Sequence, residues 1–425
     1  MHPSPIHKIY FGITLLMVSF PVWSAKLIPI LIFLWVASSI FMGFYHQKTS
    51  PFGSVKPLLI QSSLFVTIAI WAFLIDRSND AHFYVERSLS LLIFPVGFYF
   101  NPIKFNKKQL QAIQVVFSIA SFLIVGTCSF IALNELINEY VGIGKSTQSI
   151  KELVNRPDFH YLYRHTFEKY SGLHPTYASI YLGMSSLFSL NLLLKNYTTL
   201  PKKGIITGAI FIVIMYVLMA FLASRTPFAA TIFVSLVLVF LTIKKKIYIA
   251  YILLITCAAS ITLYLTVPSF SERFSQISIN NTAIPKDNES SDSFNLRSGI
   301  MYCSITLIKN NWLMGVGPGK VQEYLDNCYN DISPEVYQGR EFNTHNQFLG
   351  YWAGMGIVGL ITFLLILMAT AIKGFQRKNY FSLLFILFLS ICFLTENIMV
   401  RQQGIVAVAL FINLFYFYDY RQKVI

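Results

Sequence analysis

The chain has 425 residues, a mean hydropathy of +0.57 and only 12% charged residues. About a quarter of residues are charged in an ordinary soluble domain, so this composition excludes one and points to a chain that lives in a bilayer. The formal net charge of +14 reports how basic residues are shared between the two membrane faces, not affinity for nucleic acid.

Apolar runs of roughly 20 residues are what a helix needs to cross about 30 Å of hydrocarbon. Roughly twelve can be read, at 8–23, 27–46, 57–76, 88–101, 110–133, 173–194, 205–223, 228–243, 247–267, 347–372, 380–396 and 403–420. They predict an all-α integral membrane protein, one polytopic domain over residues 1–425. The first run resembles a signal peptide ending near Val22-Trp23-Ser24. A second span follows at once, and retaining the first keeps every later charge assignment consistent, so a retained helix is expected.

Lys and Arg in alternate links set the orientation. One side holds 17 of the 33 basic residues and, of the 19 acids, only Asp419. That side is read as cytoplasmic, with both termini. Two substantial loops, 134–172 and 268–346, then lie outside.

In chain order, Asp76, Arg77, Asp80, Glu86 and Arg87 read as a small external loop carrying surface ion pairs. The loop 134–172 mixes aromatic and basic residues from Asn155 through Tyr161-Leu162-Tyr163-Arg164-His165. Such a surface suits either a sugar or an interfacial aromatic belt. It ends at His174-Pro175-Thr176-Tyr177, where Pro175 fits the first turn of a new helix. Next comes Ala223-Ser224-Arg225-Thr226-Pro227, a link so tight that Arg225 stays near the membrane surface. Arg225 either snorkels to head groups or shares an anion site with the N–H groups of the following helix.

The second external loop is polar over 278–293, and order is expected to resume at Asn295. Ile300, Ile305, Leu307, Ile308 and Trp312 fit an amphipathic helix lying on the bilayer, with Arg297 in its first turn. Gly315-Val316-Gly317-Pro318-Gly319 forms a turn, not a nucleotide loop, because no strand precedes it and Lys320 lacks a following Ser or Thr. A short helix is expected over 319–330, and Thr344-His345-Asn346-Gln347 leads into the tenth span. Glu396, Asn397 and Arg401 fall between the last two spans, also outside. Cys303 and Cys328 share the external segment, where an oxidising compartment would allow a disulfide. No Cys/His spacing fits zinc.

These features resemble the O-antigen ligase/polymerase superfamily: Ser224-Arg225-Thr226, then Asn295-Leu296-Arg297, Trp312-Leu313-Met314-Gly315-Val316-Gly317, Thr344-His345-Asn346-Gln347-Phe348-Leu349 and Gly354-Met355-Gly356-Ile357-Val358-Gly359-Leu360. The resemblance covers about residues 160–410. It implies a membrane-embedded, GT-C-like glycosyltransferase fold in a bacterial inner membrane, with the active site facing the periplasm. It also implies transfer of a glycan from undecaprenyl diphosphate to an acceptor hydroxyl on lipid A-core or a growing glycan. Neither metal nor cofactor is implied, and the anomeric centre would invert. Carried over, the catalytic residues are Arg225, Arg297 and His345. Two guanidiniums suit a diphosphate leaving group, and an imidazole near its reference pKa of about 6.5 can take a hydroxyl proton. Asn346, His174, Tyr177, Arg164, Glu396 and Arg401 are the candidates for holding substrate.

A lipid-linked oligosaccharide flippase would also have many spans. Transporters, however, gather their polar groups near the bilayer midplane, and here the candidates cluster outside.

Overall fold

Backbone polar groups in hydrocarbon can be satisfied only within a helix or a closed barrel. The described residues contain no strand. The computed structural model describes residues 5–45, 54–101, 104–141, 152–154, 156, 158–243, 284–285, 295–337 and 342–421. In chain order the helices begin with α1 (Pro5–Val18), α2 (Ile28–Tyr45), α3 (Lys56–Trp71), α4 (Asn79–Ser88), α5 (Ser90–Phe100) and α6 (Lys107–Val141). There follow α7 (Phe159–Ser171), α8 (Pro175–Asn196), α9 (Lys202–Phe221) and α10 (Arg225–Thr242). The last group is α11 (Asn295–Asn311), α12 (Val321–Ile332), α13 (Pro334–Tyr337), α14 (Gln347–Gln376), α15 (Tyr380–Phe393) and α16 (Gln402–Arg421).

Among the described residues eight helices are long and apolar enough to cross a membrane: α2, α3 with its π-helical extension to Asp76, α6, α8, α9, α10, α14 and α16. Helices α1 and α15 are apolar but have 14 residues each. The run at 88–101 becomes α5, whose 11 residues reach about 16 Å, half the hydrocarbon thickness. The run at 247–267, the Lys244–Lys246 link and most of 278–293 lie outside the described residues. The described residues of the expected loop 134–172 are largely helical, since α6 continues to Val141 and α7 fills Phe159–Ser171.

Residues 14–28 and 105–275 form one compact unit. Helix α8 is its centre. Its buried Ala178, Ser179, Gly183, Ser185 and Ser186 let neighbouring backbones approach closely. Phe20, Phe117 and Tyr181 interlock with ring centroids 5.7–5.9 Å apart. Helix α7 is tied to α6 by Lys169 Nζ to Glu135 Oε1 at 2.8 Å, and that hydrogen bond raises the Lys169 pKa.

Residues 1–13, 29–104 and 276–425 form the second unit. Here α16 is buried along nearly its whole length. At its far end Asp419 is held: Asn379 Nδ2 donates to Oδ1 (2.9 Å) and Arg377 Nε to the Asp419 carbonyl (3.1 Å). Helix α14 is broken at Gly356, which adopts a left-handed φ of 61°. A Cβ there would collide with the Leu313 carbonyl, so the position requires glycine. The break frees backbone groups that the glycine turn then uses. Val316 N donates to Ala353 O, Gly317 N to Gly354 O, and Ile357 N to Trp312 O, each at 2.9 Å. The turn is stitched into the helix.

Two expectations are corrected in this unit. Asp76 is buried, not part of a surface ion pair. Its Oδ2 accepts from Gly319 N at 2.6 Å, while Trp71 Nε1 donates to Met314 O at 2.5 Å, so the end of α3 clasps both sides of the glycine turn. Helix α11 does not lay its whole apolar face on the bilayer: Ile300, Leu307 and Ile308 pack with Leu325, Tyr329, Tyr337 and Ala353. Ile305 and Trp312 remain open, as do Met301 and Tyr302. The disulfide between Cys303 and Cys328 is present and joins α11 to α12.

Candidate active site

In the second unit, residues 344–347 and 394–399 are knitted together. Asn346 caps α14 by accepting from Phe348 N (3.0 Å) and Leu349 N (3.1 Å), two donors the helix leaves unpaired. Its Nδ2 donates to Leu394 O at 3.2 Å. Asn397 Nδ2 donates to Thr344 Oγ1 (2.9 Å), whose hydroxyl donates to Asn346 O (2.9 Å). Met399 N donates to Gln347 Oε1 at 2.8 Å. Glu396 sits inside this weave, and its Oε2 lies 3.4 Å from His345 Nδ1. Both side chains are partly buried, at 28% and 21% exposed. His345 itself has a left-handed φ of 43°, an uncommon conformation outside glycine, in which histidine is among the enriched residues. Asn343 Oδ1 holds it there by accepting from His345 N at 2.9 Å.

Arg297 is the third residue of α11, exposed at its first turn. Two tyrosines brace its segment and that of His345 together. Tyr337 Oη donates to Leu296 O and Tyr329 Oη to Phe342 O, both at 3.1 Å. Their rings stack with centroids 4.6 Å apart. Burial pushes both phenols up, Tyr337 to about 12, so both remain donors at neutral pH. Arg401 is exposed, at the start of α16.

In the first unit, Arg225 is the first residue of α10, after Ser224 at the N-cap. The N–H groups of that first turn make an anion-favouring end. Ala223, two residues before Arg225, is left-handed with φ 49°. Arg164 on α7 donates from Nη1 to Leu222 O at 2.6 Å. The structure therefore gives Arg164 a brace on the Arg225 turn. His174 caps α8, its Nδ1 accepting from Thr176 N at 3.3 Å, and Tyr177 packs edge-on to it at 6.1 Å.

Residues 210–364 match the O-antigen ligase family model. The match supports the O-antigen ligase/polymerase superfamily. It takes in Arg225, Arg297 and His345 and ends before Glu396 and Arg401. No curated protein matches the chain. Together with the eight apolar helices, the O-antigen ligase match indicates a multi-pass membrane protein with glycan ligase or polymerase chemistry.

Sequence reasoning placed Glu396 outside as a substrate holder but did not pair it with His345. It did not single out Tyr329 or Tyr337, and it read Asp76 as a surface charge. Tyr337 and Phe342 flank the Thr344-His345 motif, and that aromatic clustering was the only available signal.

Proposed function

We propose that this chain transfers a glycan from undecaprenyl diphosphate to an acceptor hydroxyl at the periplasmic face of a bacterial inner membrane, as an O-antigen ligase acting on lipid A-core. The observation that carries the reading is His345, which stands inside the O-antigen ligase match with its Nδ1 toward the Glu396 carboxylate. With the imidazole proton at Nδ1, on the side of that carboxylate, the Nε2 lone pair is available for a substrate hydroxyl.

The acceptor oxygen attacks the anomeric carbon as its proton passes to His345 Nε2. The bond from that carbon to the donor oxygen breaks, and its electron pair leaves on the diphosphate. Arg225 and Arg297 meet the charge that develops there, through bonds aimed at phosphate oxygens. Attack opposite the leaving group inverts the anomeric centre. The chain's own side chains supply every role in this scheme.

The lipopolysaccharide ladder of a deletion strain tests the reading. Core without O-antigen is expected. Core carrying a single repeat would instead make the chain a polymerase, and an unchanged ladder would sink both forms.

A further inference from the structure

Helix α11 carries Arg297 in its first turn, and the end of a helix is the part that frays first. Arg297 is exposed, while Gly299 and Ile300 are buried against the protein. A guanidinium on such a turn is placed no better than the backbone beneath it. Tyr337, 41 residues along the chain, reaches that backbone from outside the helix, its Oη donating to the Leu296 carbonyl at 3.1 Å.

Gly299 makes the approach possible. A Cβ at this position would collide with the Tyr337 hydroxyl. Gly299 is an ordinary helical residue and is not among the glycines with positive φ, so its backbone does not call for glycine. Glycine within a helix is unfavourable relative to alanine. Its presence two residues past Arg297 is explained by the room it leaves for one hydroxyl.

Tyr337 is itself held. Its ring stacks on Tyr329 with centroids 4.6 Å apart and meets Phe342 edge-on at 5.6 Å. Phenylalanine would make both contacts, so packing does not require the hydroxyl. Phe342 in turn stands beside His345, with ring centroids 6.3 Å apart. Its carbonyl accepts from Tyr329 Oη at 3.1 Å and from Gln322 Nε2 at 3.2 Å. The Tyr337 hydroxyl is therefore anchored to the frame that carries His345, and the carbonyl it holds adjoins Arg297.

We propose that Tyr337 is a positioning residue for transfer: its hydroxyl, admitted by Gly299, sets the first turn of α11 so that Arg297 meets the diphosphate as charge develops. The assignment rests on the transferase reading above. In this role Tyr337 touches no substrate and acts through Arg297.

The test uses the purified full-length chain in lipid nanodiscs. It measures transfer from a defined undecaprenyl diphosphate donor and, on the same samples, hydrogen exchange of the backbone over 295–300. Tyr337→Phe keeps the ring and removes the hydroxyl. It should lower kcat about tenfold with the donor KM unchanged, because misplacement weakens a contact made in the transition state. Exchange over 295–300 should quicken. Added to Arg297→Ala, Tyr337→Phe should cost none of the residual transfer, because the group it places is already gone. Gly299→Ala should be slower than Tyr337→Phe, and combining the two should recover much of that loss, since the added methyl then meets no hydroxyl. A Tyr337→Phe chain with native kcat, or with native exchange over 295–300, overturns the proposal. So does a further loss on top of Arg297→Ala, since the tyrosine would then serve the fold at large. A native chain that transfers nothing would instead strike the transferase reading, and exchange in Tyr337→Phe would still decide whether the hydroxyl holds the turn.

Discussion

Glu396 Oε2 lies 3.4 Å from His345 Nδ1, and the loop that carries Glu396 is bound to the His345 motif by hydrogen bonds on both sides of it. At this distance the contact is an ion-pair approach, longer than the 2.7–2.9 Å of a tight charge-assisted bond. Such a carboxylate orients an imidazole. Glu396→Gln should therefore lower kcat, on the order of tenfold, with the KM for donor unchanged. An equal rise in KM would make Glu396 a substrate holder instead.

Arg164 acts on Arg225 through backbone. Its guanidinium holds the carbonyl of Leu222, beside the left-handed Ala223 and just ahead of Arg225. Arg164→Gln should reduce transfer, and Arg164→Lys should restore part of it. Combined with Arg225→Ala, Arg164→Gln should cost little more than Arg225→Ala alone, because both changes act on one group. Additive losses would show that Arg164 binds substrate independently.

The Cys303–Cys328 bridge closes a loop with a separation of 25 residues between α11 and α12. Loss of a cross-link of this size costs about 3.5 kcal/mol in the chain-entropy account. Cys303→Ser with Cys328→Ser, or reduction of the native chain, should lower the unfolding temperature. Activity should fall too, because α11 carries Arg297. Unchanged thermal unfolding after verified reduction would contradict this.

Much of this site was legible because helix starts have local signals. Ser224 and Pro227 mark α10, and Asn346 marks α14, so Arg225 and His345 could be assigned to helix ends from sequence. Arg297 followed from the apolar spacing after Asn295. What could not be read is pairing across the chain. Asp76 and Gly319 are 243 residues apart, and a carboxylate among charged neighbours looks like surface until the turn it caps is known. The Gly356 break was equally hidden, since a glycine within an apolar run does not announce which loop will insert there. Helix α11 was read correctly as amphipathic, but its partner proved to be mainly the tyrosine cluster, a choice that hydropathy does not encode.

Asp76 is the cleanest probe of that clasp. Asp76→Ala leaves Gly319 N without its acceptor in a partly buried setting, at a cost of about 1–3 kcal/mol. Asp76→Asn keeps a carbonyl oxygen and should be milder. Chemical or thermal unfolding in detergent would order the three proteins, and equal stability of the alanine variant would remove the clasp from the account.

Orientation rests on the distribution of Lys and Arg. A cysteine in place of Lys320 should react with an impermeant thiol reagent in whole cells whose outer membrane has been permeabilised, and one in place of Lys378 should not. The reverse pattern would put the site in the cytoplasm.

Proton transfer at His345 is the central step of the proposed reaction. Transfer by the purified chain from a defined undecaprenyl diphosphate donor should be abolished by His345→Ala and nearly so by His345→Gln, a loss of about 10²–10⁴-fold, while both variants still bind donor. Glutamine keeps a donor and an acceptor but cannot take up a proton. Turnover by His345→Gln close to that of the native chain would contradict the assignment and leave His345 as a positioning group.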